Sequence, residues 1–437
     1  MNQPGSPNSG NASLDEWLAW LETLSPTEIE LGLDRVAQVL EELRLARPGR
    51  VIHIAGTNGK GSSAAMLEAL FMKAGVCVGA YTSPHLNLYN ERIRINGASA
   101  SDQEIISAFV RVEEVRQDLP LTYFEFGTLA AAVIFEARGV ETAILEVGMG
   151  GRLDAVNAIE PDAGIITNIS LDHCDWLGED IETIAGEKAG IMRGGKPFVF
   201  GSRTIPDAIM AMAKNLGTDL RCFGKDFDYT IESTAPNSWI WTGRGSRLSS
   251  LEMPALAGEF QLQNASTVLA LIEAMQLDRL LDPLLINSAF SQLKLAGRCQ
   301  EVQTDRNWLL DVAHNADAAK ALSAYMAESP SEGRTFCIIG MLADKDQAGI
   351  LSPLREQVDA WVAVTAAGGR AFPAGDLAAG IAILTNKPCL IAGSLTEAIQ
   401  YAHERSSPGD RILVTGSFYV VGPALNWLDS GAKNPAA

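Results

Sequence analysis

Positive charge is what this sequence has little of. Its 437 residues carry 34 Lys and Arg against 53 Asp and Glu, a formal net charge of −19. That balance argues against a general nucleic-acid binder, whose affinity rests on a basic footprint. An anionic small-molecule substrate is still allowed, if a local positive site stands inside the negative field. Long apolar runs are absent too. None reaches the ~18 residues of a membrane span, so no membrane partner is expected. The stretch Met1–Ala12 is polar and lacks the basic and apolar regions of a secretory signal. It reads as a short disordered tail. Cysteine is sparse: Cys77, Cys174, Cys222, Cys299, Cys337 and Cys389 are scattered, with no C-x-x-C pair. This excludes a disulfide framework and a Cys-pair zinc site, and fits thiols kept reduced in a cytoplasm.

What is present is a large apolar share, 47%, ample for a sizeable core. At roughly 150 residues per domain the length corresponds to two or three domains. Short apolar runs alternate with helical patterns. Val51–Ala55 ends in a Gly-rich turn and is followed by a helix-like stretch from Lys60 to Lys73. Ala143–Val147 and Ala163–Ile169 are further apolar runs of the kind found in strands buried on both faces. The expected fold is α/β with a mostly parallel sheet. The texture changes between Asp226 and Leu251, where Tyr229–Glu232 and Ser238–Thr242 predict a small β insertion.

A second α/β alternation starts near Cys299. Its strand candidates are Trp308–Val312, Thr335–Gly340, Ala360–Thr365, Pro388–Ile391 and Arg411–Val414. This predicts a smaller Rossmann-like domain, although no G-x-G-x-x-G opens its first turn. The expected division is a tail over 1–13, a first domain over 14–296, a second over 297–430 and a tail over 431–437.

The strongest local pattern is Gly56-Thr57-Asn58-Gly59-Lys60-Gly61-Ser62, between a strand and a helix. Glycines let backbone N–H groups approach phosphate oxygens, and the helix N-terminus adds partial positive charge. Lys60 would bridge terminal phosphates. The spacing departs from the general P-loop: Ile54 stands where a Gly is usual, and Gly61 separates Lys60 from Ser62. A nucleotide site needs Mg²⁺, which prefers oxygen ligands. Glu146 closes the run Ala143-Ile144-Leu145 at a strand end, where α/β folds bind ligands. A surface ion pair is its ordinary alternative.

Further segments occur in fixed order: Tyr81-Thr82-Ser83-Pro84-His85-Leu86, Leu145 to Asp154, Leu171-Asp172-His173, Glu187-Lys188-Ala189-Gly190-Ile191, Gly297-Arg298-Cys299-Gln300 and Leu310 to Asn315. Together with the phosphate loop they resemble the folylpolyglutamate synthases of the Mur ligase superfamily. Leu121 to Phe126 and Leu171 to Gly178 are most similar to the bacterial bifunctional form, which is also a dihydrofolate synthase. The likeness runs from about Leu14 to Leu428.

The resemblance implies an N-terminal P-loop ATP-binding domain and a smaller Rossmann-like ligase domain. It implies an ATP-driven amide ligase that joins L-glutamate to dihydropteroate and adds further glutamates to reduced folates. The acceptor carboxylate would first become an acyl phosphate. It assigns Gly59, Lys60, Gly61, Ser62, Asn264, Arg298 and Asp311 to ATP, and Ser83, Glu146 and His173 to Mg²⁺. From its residue type alone, His173 reads as a structural or acid–base group rather than a metal ligand, and the resemblance reverses that order. The folate side would be lined by Glu30, Leu31, Thr122, Tyr123, Phe124, Glu125, Leu153, Asp154 and Ala155. There an aromatic pair can stack on a flat heterocycle and a carboxylate can accept from its aminopyrimidine. Without the resemblance, Tyr123 and Phe124 are ordinary helix-packing residues. Lys60, Lys188, His173 and Arg298 are the expected catalytic set. Lys188, otherwise a plain helix lysine, would be carbamylated as in related ligases. His314 would shape the glutamate or phosphate region.

Chain extension alone, without dihydropteroate activity, is the nearest alternative. A peptidoglycan-precursor ligase fits less well, because the N-terminus is short for a separate UDP-binding domain. A nucleotide-switch protein would not need the Glu146, His173 and Lys188 set. The expected form is a cytoplasmic monomer.

Overall fold

The computed structural model describes residues 7, 12–25, 30–232 and 237–431. The first sheet has eight strands: β1 (Arg50–Ala55), β2 (Val78–Tyr81), β3 (Ile93–Ile95), β4 (Ala98–Ser99), β5 (Thr142–Glu146), β6 (Ala163–Ile166), β7 (Pro197–Phe200) and β8 (Asp219–Cys222). Their order is β4-β3-β2-β5-β1-β6-β7-β8. Pairing is parallel from β2 to β8, and β3 and β4 add an antiparallel edge.

The apolar run of β1 is explained by cover on both faces. Val51 and Ala55 enter one core, with the helices Leu14–Leu24, Asp102–Arg116 and Tyr123–Ala137. Ile52 and Ile54 enter the other, with the helices Lys60–Lys73 and Phe260–Ala274. Alternate residues of one strand therefore supply two cores. β1 is central, between β5 and β6, which puts its C-terminal end at the place where open α/β sheets bind ligands.

The small insertion is antiparallel: β9 (Asp228–Ile231), β10 (Ser238–Thr242) and β11 (Arg247–Glu252). It is held down by the fully buried Trp239 and Trp241, and the indole of Trp241 donates to the Ser266 carbonyl at 3.2 Å. The second sheet comprises β12 (Gln300–Gln303), β13 (Asn307–Leu310), β14 (Thr335–Ile339), β15 (Ala360–Ala363), β16 (Cys389–Ile391) and β17 (Arg411–Thr415), in the order β12-β13-β17-β14-β15-β16. Only β12 is antiparallel to its neighbour.

The two sheets meet through the C-terminal helix Phe418–Asp429. A Cβ at Gly422 would collide with the Leu86 carbonyl oxygen of the first domain. With its amide turned to donate, Asn87 bonds the Gly422 carbonyl at 2.9 Å. Ser13, expected in the N-terminal tail, caps the helix Leu14–Leu24 through a reciprocal bond with Glu16. The tail expectations for residues 1–6, 8–11 and 432–437 lie outside the described residues. All six cysteines are free thiols. Among the described residues no helix is long and apolar enough to cross a membrane.

Candidate active site

The phosphate loop leaves β1 at Gly56, and its helix begins at Lys60. Gly59 has φ 86°, and a Cβ there would lie 2.6 Å from Asn264 Oδ1, so only glycine fits. Asn264 is thereby brought against the loop from the helix Phe260–Ala274. The segment after β6 braces the other side. Asn168 accepts from Thr57 N with its carbonyl and from Asn58 N with its side chain, at 2.9 and 2.8 Å. Thr167 Oγ1 donates to the Asn58 carbonyl at 2.6 Å. Lys60 Nζ folds back onto the carbonyls of Gly56 and Thr57, at 3.1 and 3.2 Å.

Lys188 Nζ reaches the same Gly56 carbonyl, at 3.1 Å, from the helix Ile181–Ala189. Its side chain is buried. Burial first, and then the nearby charge of Lys60, bring its amine down to about 7 from the ordinary 10.5. A lysine in that state is a competent nucleophile toward carbon dioxide.

Glu146 ends β5 inside the site. It is 4% exposed and accepts from Ser83 N at 3.3 Å. Burial raises its pKa, while Lys60 of its own domain and Arg298 of the other offset part of the rise. A Cβ on Gly61 would stand 4.0 Å from its Oε2, which places the carboxylate against the start of the phosphate helix. His173 lies in the left-handed region at φ 52° and begins the short helix Cys174–Leu177. Burial holds the imidazole at about 4, hence neutral and able to ligate at physiological pH. Among the described residues no three His, Cys, Asp or Glu side chains converge as a metal cluster. One carboxylate, one imidazole and the Ser83 hydroxyl nevertheless suit Mg²⁺ in a nucleotide site, where phosphate and water oxygens complete the shell.

The second domain faces this group. Asp311 follows β13, is 7% exposed, and accepts from the backbone N–H groups of Cys299 and Ala313 at 2.7 and 2.8 Å. Burial raises its pKa against the pull of Arg298. The Arg298 guanidinium lies 5.4 Å from the Phe418 ring, and His314 packs on the same ring at 5.9 Å. Asn315 exchanges amide hydrogen bonds with Asn58 of the phosphate loop, at 3.0 and 3.2 Å. It also donates to Asp172 at 3.3 Å. Burial alone would raise the Asp172 pKa, but His314, whose Nε2 lies 3.7 Å away, and the charges of His173 and Lys345 hold it well below the carboxylate range.

The residues expected on the folate side form a separate wall. Thr122 and Glu125 make a capping box at the start of the helix Tyr123–Ala137. Glu125 also accepts from both Nε and Nη2 of Arg35, at 3.4 and 2.9 Å, so its oxygens are already engaged. Glu30 is exposed and pairs with the same arginine. Leu31 precedes Gly32, whose N–H reaches the Leu153 carbonyl at 3.2 Å, so the 30–32 and 153–155 segments adjoin. Asp154 is buried and accepts from Met149 N and Val156 N at 2.9 and 3.0 Å. Burial lifts it to about 7. Ala155 is buried beside it. Tyr123 and Phe124 are half-buried and have different neighbours. Phe124 packs over Gly148 and lies 5.7 Å from the Tyr81 ring. Tyr123 lies under the Arg92 guanidinium, 5.4 Å away.

The structure thus gathers Gly59, Lys60, Gly61, Ser62, Ser83, Glu146, Lys188 and Asn264 at the end of the first sheet, with Arg298 and Asp311 opposite. Several participants were not singled out from the sequence: Arg92, Thr167, Asn168, Asp172, Asn315 and Lys345. Asp172 and Asn315 lay inside the motifs. The others give no local signal.

The chain matches the Mur ligase middle domain over residues 54–272 and the Mur ligase glutamate ligase domain over residues 297–418. It is 37% identical to the dihydrofolate synthase/folylpolyglutamate synthase of Escherichia coli, covering 96% of this chain and 97% of that protein. An E. coli FolC structure in complex with DHPP and ADP superposes with a TM-score of 0.90 at 36% identity, covering 96% of this chain and 98% of that one. A bifunctional folylpolyglutamate synthase/dihydrofolate synthase with Mn, AMPPNP and L-glutamate bound gives 0.88 at 38% identity, covering 98% and 100%.

Proposed function

The chain belongs to the dihydrofolate synthase/folylpolyglutamate synthase family of Mur ligases, and from that premise we propose that it joins L-glutamate to dihydropteroate and adds further glutamates to reduced folates, at the expense of ATP. The observation that carries this reading is the phosphate loop with Lys60 and the buried Glu146 at the end of the first sheet, closed from the other domain by the Asn58–Asn315 amide pair and the Lys345–Asp172 ion pair. A crevice with cations on both walls is what a transferring phosphoryl group needs.

An acceptor carboxylate is a poor electrophile because its charge repels nucleophiles. Its oxygen attacks the γ-phosphorus, the bond to the β-phosphate oxygen breaks and ADP leaves, giving an acyl phosphate. The amine of glutamate then attacks the acyl carbon, inorganic phosphate leaves and the amine gives up a proton. In the first step this chain mainly positions groups and neutralises charge. The N–H groups at the start of the helix Lys60–Lys73 and the Lys60 ammonium receive the phosphates. Arg298 offers a planar fork to the transferring group. Ser83, Glu146 and His173 would hold Mg²⁺, which would supply further neutralisation of phosphate charge. The Asn58–Asn315 pair and the Asp172 cluster draw the second domain over the loop, which keeps water from the acyl phosphate.

The folate acceptor occupies the wall of Phe124, Tyr123 and Asp154. Both walls of the crevice come from one chain, so a monomer completes the site. Six free thiols fit a cytoplasmic setting.

The test supplies ATP, Mg²⁺ and L-glutamate with dihydropteroate in one reaction and tetrahydrofolate in another. Phosphate release is followed and products are identified by mass. New amides in both are expected. Product with tetrahydrofolate alone would reduce the enzyme to chain extension, and phosphate with no amide would overturn the ligase reading.

A further inference from the structure

The C-terminal helix Phe418–Asp429 presents one more aromatic side chain to the crevice. Positions 419, 422 and 426 share one helix face by their i, i+3 and i+7 spacing. Gly422 and Asn426 on that face dock against Leu86 and Asn87 of the first domain. Tyr419, one turn nearer the helix start, has no such cover: it is 49% exposed while Ser417 and Val420 are buried. The ring is thus open at the edge of the docked interface, where a ligand can reach it.

Its neighbours say what kind. The preceding residue, Phe418, lies against Arg298 and His314, on the phosphate side of the crevice. The loop on which the helix docks carries Ser83 and His85. It leads to Arg92, which bonds His85 Nδ1 at 2.8 Å and covers Tyr123. Tyr419 is close enough to Tyr123 to add to the rise of that phenol, which burial carries to about 12. The ring therefore lies on the helix face turned toward the first domain, next to the residue that packs on Arg298 and His314 and beside the loop that leads to Arg92.

The two acceptors differ at that point. In dihydropteroate the reacting carboxylate is attached directly to the aryl ring. In tetrahydrofolate an amide and the glutamyl carbons separate the aryl ring from the reacting γ-carboxylate. Next to the reacting centre, an aromatic side chain meets a flat ring in the first case and a flexible aliphatic segment in the second. We propose that Tyr419 packs on the aryl ring of dihydropteroate and sets the preference of this enzyme for first-glutamate addition over chain extension. The inference rests on the proposed bifunctional reading.

The test measures kcat and KM for both acceptors with the wild type, Tyr419→Phe, Tyr419→Leu and Tyr419→Ala in the full chain. For Tyr419→Ala, kcat/KM for dihydropteroate falls about tenfold, mainly through KM, as befits the loss of one aromatic contact. Tetrahydrofolate changes by less than about threefold, the KM for ATP is unchanged, and Tyr419→Phe retains the wild-type ratio. Tyr419→Leu, apolar without a flat face, follows Ala. An equal loss with both acceptors, or no loss, overturns the proposal, as does a wild-type ratio in the Leu variant. If the wild type glutamylates neither acceptor, it is the functional reading that fails.

Discussion

Lys345 Nζ donates to Asp172 Oδ1 at 2.6 Å, an ion pair between the two domains in which both side chains are under 10% exposed. Asp172 directly precedes His173, one of the residues proposed to hold the metal. Lys345 follows β14 of the second sheet. The pair ties the domains together beside the phosphate loop.

Removing one partner leaves the other charge buried. Asp172→Asn and Lys345→Met are each expected to cost about 3 kcal/mol. The double variant should cost clearly less than their sum, because no lone charge remains. Urea denaturation of the full chain for the four members of this cycle measures the coupling. Additive losses would show that the pair contributes nothing as a pair.

This pair also marks the limit of what the sequence reveals. Lys345 stands 173 residues from Asp172, in a stretch whose strand pattern says nothing about its partner. The phosphate loop and Glu146 were legible because each ends an apolar strand, and the chemistry of a strand end is local; Asp311 came only with the family resemblance. The parallel sheets followed from runs buried on both faces. Glu125 shows the opposite case. A carboxylate beside two aromatics suggests a ligand contact, yet its oxygens cap a helix and pair with Arg35, 90 residues away. Arg92 was equally silent, since only the fold brings its guanidinium between Tyr89 and Tyr123.

Lys188 should carry a carbamate. Its amine, near 7 through burial and the charge of Lys60, is largely neutral above that pH, and carbon dioxide adds only to the neutral form. The product is an anion beside Lys60, which replaces a repulsion by an attraction. Occupancy should rise with bicarbonate and with pH through 7. In native mass spectrometry it appears as the increment of one carbon dioxide on the 188 peptide region. Lys188→Ala should lose more than about a hundredfold in kcat, with partial rescue by short carboxylates. Absence of both the increment and the rescue would count against the carbamate.

His53, in the middle of β1, supplies a pH effect on stability. It is fully buried, and neither ring nitrogen has a hydrogen-bond partner. Burial, helped by Arg193, lowers its pKa to about 3 from 6.5. Between those values the unfolded chain binds a proton that the folded chain refuses. Stability therefore falls as pH drops from 6.5 toward 3, and this contribution levels off below. At pH 4.5 the loss is about 2 kcal/mol. His53→Leu keeps the site apolar and should lessen the acid dependence by that amount, read from urea midpoints at pH 6.5 and 4.5. An identical pH slope in both proteins would remove His53 from the account.

Gly422 tests whether the docked C-terminal helix matters to chemistry in the other domain. Any Cβ there meets the Leu86 carbonyl, and Leu86 is three residues from Ser83. Backbone on both sides leaves little to yield. Gly422→Val should therefore push the helix off the 83–88 loop without disturbing either sheet, because the side chain enters the space between domains. Far-UV circular dichroism should be unchanged, and small-angle scattering should report a larger radius of gyration. Misplacement of about 1 Å at Arg298 and Ser83 is enough to lower kcat about a hundredfold. Gly422→Ala, with one methyl, should fall between that variant and the wild type. Full activity in Gly422→Val, with the larger radius confirmed, would mean that substrates reset the domains by themselves and that this contact is not what aligns them.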